Sequence, residues 1–141
     1  MTDSLTLQNQ VCFPVYALAK EIVNRYRPLL EDLDVTYPQY LVLMVLWNEE
    51  EQTVGQLGEK LLLDSGTLTP LLKRMEQKGM VNRSRSPEDE RVVKLSLTEK
   101  GKAMKEKTKD IPCRLMESMK ISEEELLELK TIITKILNKQ Q

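Results

Sequence analysis

Residues 64–97, DSGTLTPLLKRMEQKGMVNRSRSPEDERVVKLSL, decide the fold. Leu68, Leu71, Leu72 and Met75 fall at i, i+3, i+4 and i+7, so one helical face is apolar while Thr67, Pro70, Lys73, Arg74 and Gln77 point elsewhere. Gly79 stops the helix. Val81, Arg83 and Arg85 then alternate with Asn82 and Ser84, and Val93, Leu95 and Leu97 alternate with Lys94 and Ser96. The polar run 86–91 joins them as a turn. Pro70 argues locally for a helix that begins at Pro70 with Thr69 as N-cap. A start at Asp64 or Ser65 leaves the Gly66 carbonyl without its helical partner. The longer helix is preferred, because it alone presents Ser65, Thr67 and Thr69 together with Arg74.

A helix whose exposed side carries hydroxyls and long cations can enter a major groove, and an arginine-tipped hairpin beside it can reach the neighbouring minor groove. Charge on a helix face is by itself the ordinary device for solubility. The adjoining hairpin tips the reading to a winged helix-turn-helix, a mostly α fold with a small β-hairpin. Upstream, Thr36 and Gln39 have capping-box spacing and open an apolar helix over 40–48. Thr53 and Gln56 make a second box for a short helix with Val54, Leu57 and Leu61 on its buried face. Leu62, Leu63 and Asp64 turn the chain into the recognition helix.

The chain has 141 residues, 21 basic and 22 acidic, with a formal net charge of −1 at pH 7. That balance is unlike a typical nucleic-acid binder, but the charge is uneven. Between Lys73 and Lys109 there are twelve Lys or Arg against six Asp or Glu, and the positive half coincides with the proposed DNA face. The longest apolar run, 41–47, is far too short for a membrane span, and the N-terminus has no basic and apolar leader pattern, so a cytoplasmic protein without membrane contact is expected. The sequence contains no histidine, which removes His-dependent triads and His-ligated zinc. No Gly-rich phosphate loop, CxxC pair or GxSxG elbow appears. No enzyme activity, metal or cofactor is expected.

The first apolar helical pattern, Leu7, Val11, Val15, Leu18 and Ile22, covers 5–26, and Pro14 either kinks it or marks a fresh start near Phe13. Either way Cys12 lies near loosened backbone N–H groups, a setting that favours thiolate; the alternative is a small buried hydrophobe. Pro28 is expected to begin a short helical piece ending near Leu33. Thr98 caps a helix running to about Asp110, which Pro112 bends. Ser122 and Glu125 cap a last helix striped by Leu126, Leu129, Ile132, Ile133, Ile136 and Leu137. The two terminal apolar faces need partners, within the chain or in a second copy. Two winged helices reading a two-fold site require a dimer, so a homodimer through the N- and C-terminal helices is expected. There is no internal repeat or linker, and one domain is expected.

Residues 9–17 (NQVCFPVYA), 35–47 (VTYPQYLVLMVLW), 63–79 (LDSGTLTPLLKRMEQKG) and 86–101 (SPEDERVVKLSLTEKG) together resemble the organic hydroperoxide resistance regulators of the MarR family of bacterial repressors. The DERxV hairpin points to the broad family, and the cysteine context to its peroxide-sensing branch. The resemblance spans nearly the whole chain. It implies one MarR-type domain over 1–141, with dimerisation helices in 1–35 and 99–141 and the DNA-binding region in 36–98.

By position, Cys12 matches the peroxide-sensing cysteine, and Tyr26 and Tyr37 the tyrosines that hydrogen-bond its sulfur from the partner subunit. Ser65, Gly66, Thr67, Thr69, Pro70 and Arg74 match the major-groove face. Arg91 matches the wing-tip arginine, steadied by Asp89, and Arg83 and Arg85 contact phosphates. The implied partners are double-stranded pseudo-palindromic operator DNA, a second copy and an organic hydroperoxide as oxidising signal. Two positions depart from the pattern: Pro14 replaces an ordinary helix former, and Cys113 lies a turn earlier than the family's second cysteine. Cys113 is therefore either the resolving thiol or an inert one. Two rivals stand beside this reading: a MarR-type repressor released by a small aromatic ligand, which shares every DNA-face residue and needs no thiol, and a thiol peroxidase, which fits the low charge and a reactive cysteine and needs no operator.

Overall fold

The computed structural model describes residues 5–138, so the outermost residues of the two expected dimerisation segments, 1–4 and 139–141, lie outside the described residues. A 3₁₀ turn at Leu7–Asn9 precedes helix α1, Cys12–Leu30. The helix takes the fresh start: Cys12 is its first residue, and Pro14 occupies the first turn, where a missing N–H has no carbonyl to satisfy. It also runs further than the apolar pattern suggests. Pro28 does not open a new piece but lies inside α1, close enough to its end that only one hydrogen bond, to the Asn24 carbonyl, is lost. A 3₁₀ turn at Glu31–Leu33 follows and ends at Asp34, whose φ of 53° is left-handed.

Both sides of the Thr36–Gln39 capping box are made, and they set the start of α2, Tyr37–Asn48, three residues before the expected Tyr40. Strand β1, Glu51–Thr53, has no counterpart in the sequence reading. It leads through the Thr53–Gln56 box into α3, Val54–Leu61. Leu62 then adopts φ 57°, and the Leu63 N–H returns 3.0 Å to the Gly58 carbonyl. A Cβ on Gly58 would sit 2.7 Å from the Leu63 carbonyl oxygen, so this tight turn requires glycine.

Helix α4 spans Ser65–Gln77 with Asp64 as N-cap, the longer of the two alternatives. Pro70 is tolerated inside it. Gly79, at φ 78°, turns the chain out of the helix into β2, Val81–Arg85. Strand β3, Val93–Leu97, pairs antiparallel with β2 on one side, Arg83 opposite Leu95, and with β1 on the other, Gln52 opposite Leu95. The expected hairpin is thus two strands of a three-stranded sheet in the order β1-β3-β2.

Thr98 caps α5, which covers Glu99–Lys107 and stops short of the expected Asp110. Pro112 does not bend that helix. It sits in the first turn of a separate helix, α6, Ile111–Met119, where proline is tolerated. The last helix, α7, covers Glu123–Asn138, and its capping box is made between Ser122 and Glu125.

The contacts group the chain into one unit that ends at Lys109 and a second that begins at Asp110. In the first unit, Val42, Leu43, Leu46, Leu57, Leu68, Leu72, Met75, Met80, Val81, Leu95 and Met104 form the core. The Trp47 indole donates to the Gly101 carbonyl at 2.9 Å, fixing α5 against α2. The second unit is the α6–α7 pair, joined through Lys120 at φ 56°. Among the described residues no helix is long and apolar enough to cross a membrane, and no three His, Cys, Asp or Glu side chains cluster in a way that could hold a metal ion.

Candidate nucleic-acid interface and sensor residues

The recognition helix begins at a well-made cap. Asp64 Oδ1 accepts the Thr67 N–H at 2.7 Å, and that bond holds the Asp64 carboxyl below the usual carboxylate range. Because Leu68, Leu72 and Met75 are wholly buried, the remaining sides of α4 face outward. Ser65, Gly66, Thr67, Pro70 and Arg74 are exposed, and Thr69 is half-buried. Thr69 and Ser65 line a cavity of about 330 Å³ with Thr53 and Gly55 at the start of α3 and Arg91 and Val92 on the hairpin. Two of the expected groove-reading residues, Ser65 and Thr69, and the wing-tip Arg91 therefore border one concavity.

The tip itself is tied by short-range bonds. Ser86 N–H donates to the Val92 carbonyl at 2.8 Å, and Val92 N–H to the Asp89 carbonyl at 3.0 Å. Asp89 accepts the Arg91 Nε at 3.1 Å and Nη2 at 3.2 Å, and also its backbone N–H at 3.0 Å. The Arg91 guanidinium, forked onto Asp89, holds that carboxyl below the usual range. The Arg91 side chain is still 91% exposed. Asp89 thus aims the cation without covering it.

Arg83 and Arg85 are placed differently. Strand alternation puts Arg83 on the face of buried Val81, so its side chain is only 20% exposed and Nη1 lies 3.5 Å from Glu76 of α4. Its Nε is buried and has no hydrogen-bond partner among the described residues. The Arg85 Nη1 donates to the Glu90 carbonyl at 2.7 Å, bracing the tip. The Glu76–Arg83 pair links helix to hairpin, and it escaped the sequence reading because a seven-residue spacing across a turn carries no local signal.

Cys12 is exposed at the first position of α1. Tyr26 and Tyr37 stack with ring centroids 4.4 Å apart, and Tyr40 lies 5.9 Å from Tyr26. Burial pushes the Tyr26 phenol up to about 12, helped by its neighbours Tyr37 and Tyr40. Burial likewise raises Tyr37 and Tyr40. The phenols are therefore neutral donors at physiological pH. Cys12 and Tyr26 lie on one helix, and fourteen residues at its rise separate them by about 21 Å. No chain can bring its own Tyr26 to its own Cys12 while α1 stands. Cys113 is exposed on α6, 3.9 Å from the Glu117 carboxylate a turn later.

The transcriptional regulator SarA/Rot family matches residues 24–108, more than half of the chain and the whole of the α2–α5 arrangement. The chain belongs to the SarA/Rot family of transcriptional regulators, which are MarR-type winged helices. Within it, this SarA/Rot chain is 52% identical to the organic hydroperoxide resistance transcriptional regulator of Bacillus subtilis, over 96% of its own length and 92% of that protein's. It is 42% identical to the regulator SarZ of Staphylococcus aureus, over 94% and 90%.

Among solved structures, AbfR of Staphylococcus epidermidis is 34% identical. Reduced AbfR bound to DNA superposes with a TM-score of 0.79 over 96% of this chain and 94% of that one. AbfR has also been solved overoxidised and bound to DNA, and in a disulfide-formed state. The first two relatives are transcriptional regulators by name, and AbfR is a protein solved on DNA.

Proposed function

We propose that this chain is a cytoplasmic repressor whose reduced homodimer binds a pseudo-palindromic operator and is released when an organic hydroperoxide oxidises Cys12. The carrying observation is the separation on α1: an exposed thiol at one end and a stacked pair of neutral phenols about 21 Å away at the other. A two-fold dimer in which α1 meets its copy brings thiol and phenols together across the interface. The exposed apolar side chains of Leu5, Leu7, Val11, Phe13 and Val15, and those along α7, supply the area such an interface needs. In this reading residues 36–98 form the DNA-binding region, and 1–35 with 99–141 form the dimer.

On DNA, Ser65, Gly66, Thr67, Thr69, Pro70 and Arg74 face the major groove and Arg91 reaches the minor groove, with half-sites about one helical turn apart. Arg85 and the partly covered Arg83 lie along the adjoining backbone. The thiolate attacks one peroxide oxygen, the O–O bond breaks, and the alkoxide leaves and takes a proton to become an alcohol. Sulfur is oxidised to sulfenic acid and the peroxide is reduced. A second thiol, from the partner's Cys113 or a small molecule, then displaces water to form a disulfide. The similarity to a hydroperoxide resistance regulator supports the signal, and the disulfide and DNA-bound overoxidised forms of AbfR favour the disulfide as the releasing state.

The test is an operator-release titration with cumene hydroperoxide on the wild type, Cys12→Ser and Cys113→Ser. Wild type is expected to let go and Cys12→Ser to stay bound. Release of Cys12→Ser by the peroxide would remove the sensor assignment.

A further inference from the structure

The C-terminus of the recognition helix is tied to two other elements by a pair of lysines set head to tail. Lys78, the C-cap of α4, extends its Nζ to the Asp34 carbonyl at 2.7 Å, with the Asp34 carboxylate at 3.6 Å. The carbonyl of Lys78 in turn accepts the Lys100 Nζ of α5 at 2.7 Å. Lysine ordinarily leaves its ammonium in water, yet this side chain is only 32% exposed. Both ammonium groups sit on carbonyls at the end of a helical turn, where the backbone dipoles leave partial negative charge. Apolar packing of Leu33 and Val35 on the core holds this corner in general, whereas the lysine bond fixes a direction.

Asp34 is the hinge of the corner between α1 and α2. Its left-handed φ of 53° joins the turn after α1 to the cap of α2, and three residues later comes Tyr37, stacked on Tyr26. The Lys78 ammonium therefore bonds the backbone three residues from one of the two stacked phenols. The opposite end of α4 carries Ser65, Gly66 and Thr67, about 20 Å from Lys78 for a thirteen-residue helix. A small displacement imposed at Lys78 therefore tilts the groove-reading end.

We infer that Lys78 is a positioning residue that couples the Tyr26–Tyr37 corner to the recognition helix, an inference that rests on the proposed redox reading. Its ammonium is held on the Asp34 carbonyl, about 20 Å from the groove-reading end of α4. Its contribution is to the difference between the two states of the sensor, so the quantity to measure is the ratio of operator Kd in the disulfide-oxidised protein to that in the reduced protein.

Binding is measured for wild type, Lys78→Met, Lys78→Arg and Asp34→Gly, each reduced and each carried to the disulfide with one equivalent of cumene hydroperoxide and a small thiol. Lys78→Met keeps the aliphatic stem, so its reduced form is expected to bind within about threefold of wild type while the ratio falls about fivefold or more. Lys78→Arg restores most of the ratio, because a guanidinium still reaches the carbonyl. Asp34→Gly keeps both the carbonyl and the left-handed backbone, so it retains the wild-type ratio. A ratio in Lys78→Met equal to a large wild-type ratio overturns the coupling alone. A loss in Asp34→Gly as large as in Lys78→Met overturns the carbonyl as the coupling acceptor. A wild-type ratio near one overturns the redox reading, and the coupling with it.

Discussion

Helices α4 and α7 are written alike and surrounded differently. Each opens on a side chain that caps it, Asp64 onto the Thr67 N–H and Ser122 with Glu125 in a reciprocal box, and each carries apolar residues at three- and four-residue intervals. In α4, Leu68, Leu72 and Met75 are 0% exposed within the core of their unit. In α7 no residue is buried, and Leu127, Ile132, Ile133, Ile136 and Leu137 stand 42% to 59% exposed. An apolar stripe records that a helix has a partner and is silent about whether that partner is the same chain. The stripe of α4 stabilises the fold; that of α7 is left for the partner that the proposed homodimer supplies.

Two substitutions separate these roles, and the larger effect belongs to α4. Leu72→Ala removes a fully enclosed side chain, so urea unfolding is expected to show a loss of about 2–5 kcal/mol. A loss under 1 kcal/mol, on that same scale, would mean the core around α4 is slack. In α7 the paired change Ile132→Glu with Ile136→Glu puts two charges on the exposed stripe. It is expected to weaken self-association on the order of tenfold or more in sedimentation equilibrium, with the far-ultraviolet helix signal kept. If the doubly charged protein stays as dimeric as wild type, the interface lies elsewhere.

The same contrast explains what could be read in advance. The recognition helix, all three capping boxes and the β2–β3 hairpin are legible because their signals are local: period, cap spacing and alternation within a dozen residues. Strand β1 is not, since Glu51-Gln52-Thr53 has neither apolar alternation nor length, and it forms because the free edge of β3 offers hydrogen bonds from residues some forty positions away. The sequence suggests a start at Pro28 and a bend at Pro112, but a proline's effect depends on where the first turn falls. Pro112 sits inside a first turn and Pro28 near a last one.

At the site, exposure of Ser65, Thr67, Arg74 and Arg91 follows from the period of α4 and the turn residues of the hairpin. The inward turn of Arg83 onto Glu76 and the reach of Lys78 to Asp34 are tertiary contacts that no spacing announces. The distance along α1 was implicit in the sequence all along. It became an argument for a second subunit only once the helix proved continuous from Cys12 past Tyr26.

The smallest expected effect concerns the caps, the feature in which the two helices agree. Asp64 accepts the Thr67 N–H, and Glu125 accepts the Ser122 N–H at 3.0 Å; each bond holds its carboxyl below the usual carboxylate range. The folded protein therefore takes up these protons less readily than the unfolded chain. The stabilisation is fully present above about pH 4, the unfolded range, and is lost as pH falls through the lowered folded values. Asn at position 64 still offers an oxygen to the Thr67 N–H but does not titrate, so Asp64→Asn should melt slightly below wild type at neutral pH and close the gap as the solution is acidified. Glu125→Gln should behave the same way in α7. The gap should be small in both, because the two carboxylates are fully exposed and solvent-screened. Thermal melts at a series of pH values decide it: a gap that stays constant into acid means the caps act through geometry alone. Matching closure in both helices leaves the surroundings of the stripe as what distinguishes α4 from α7.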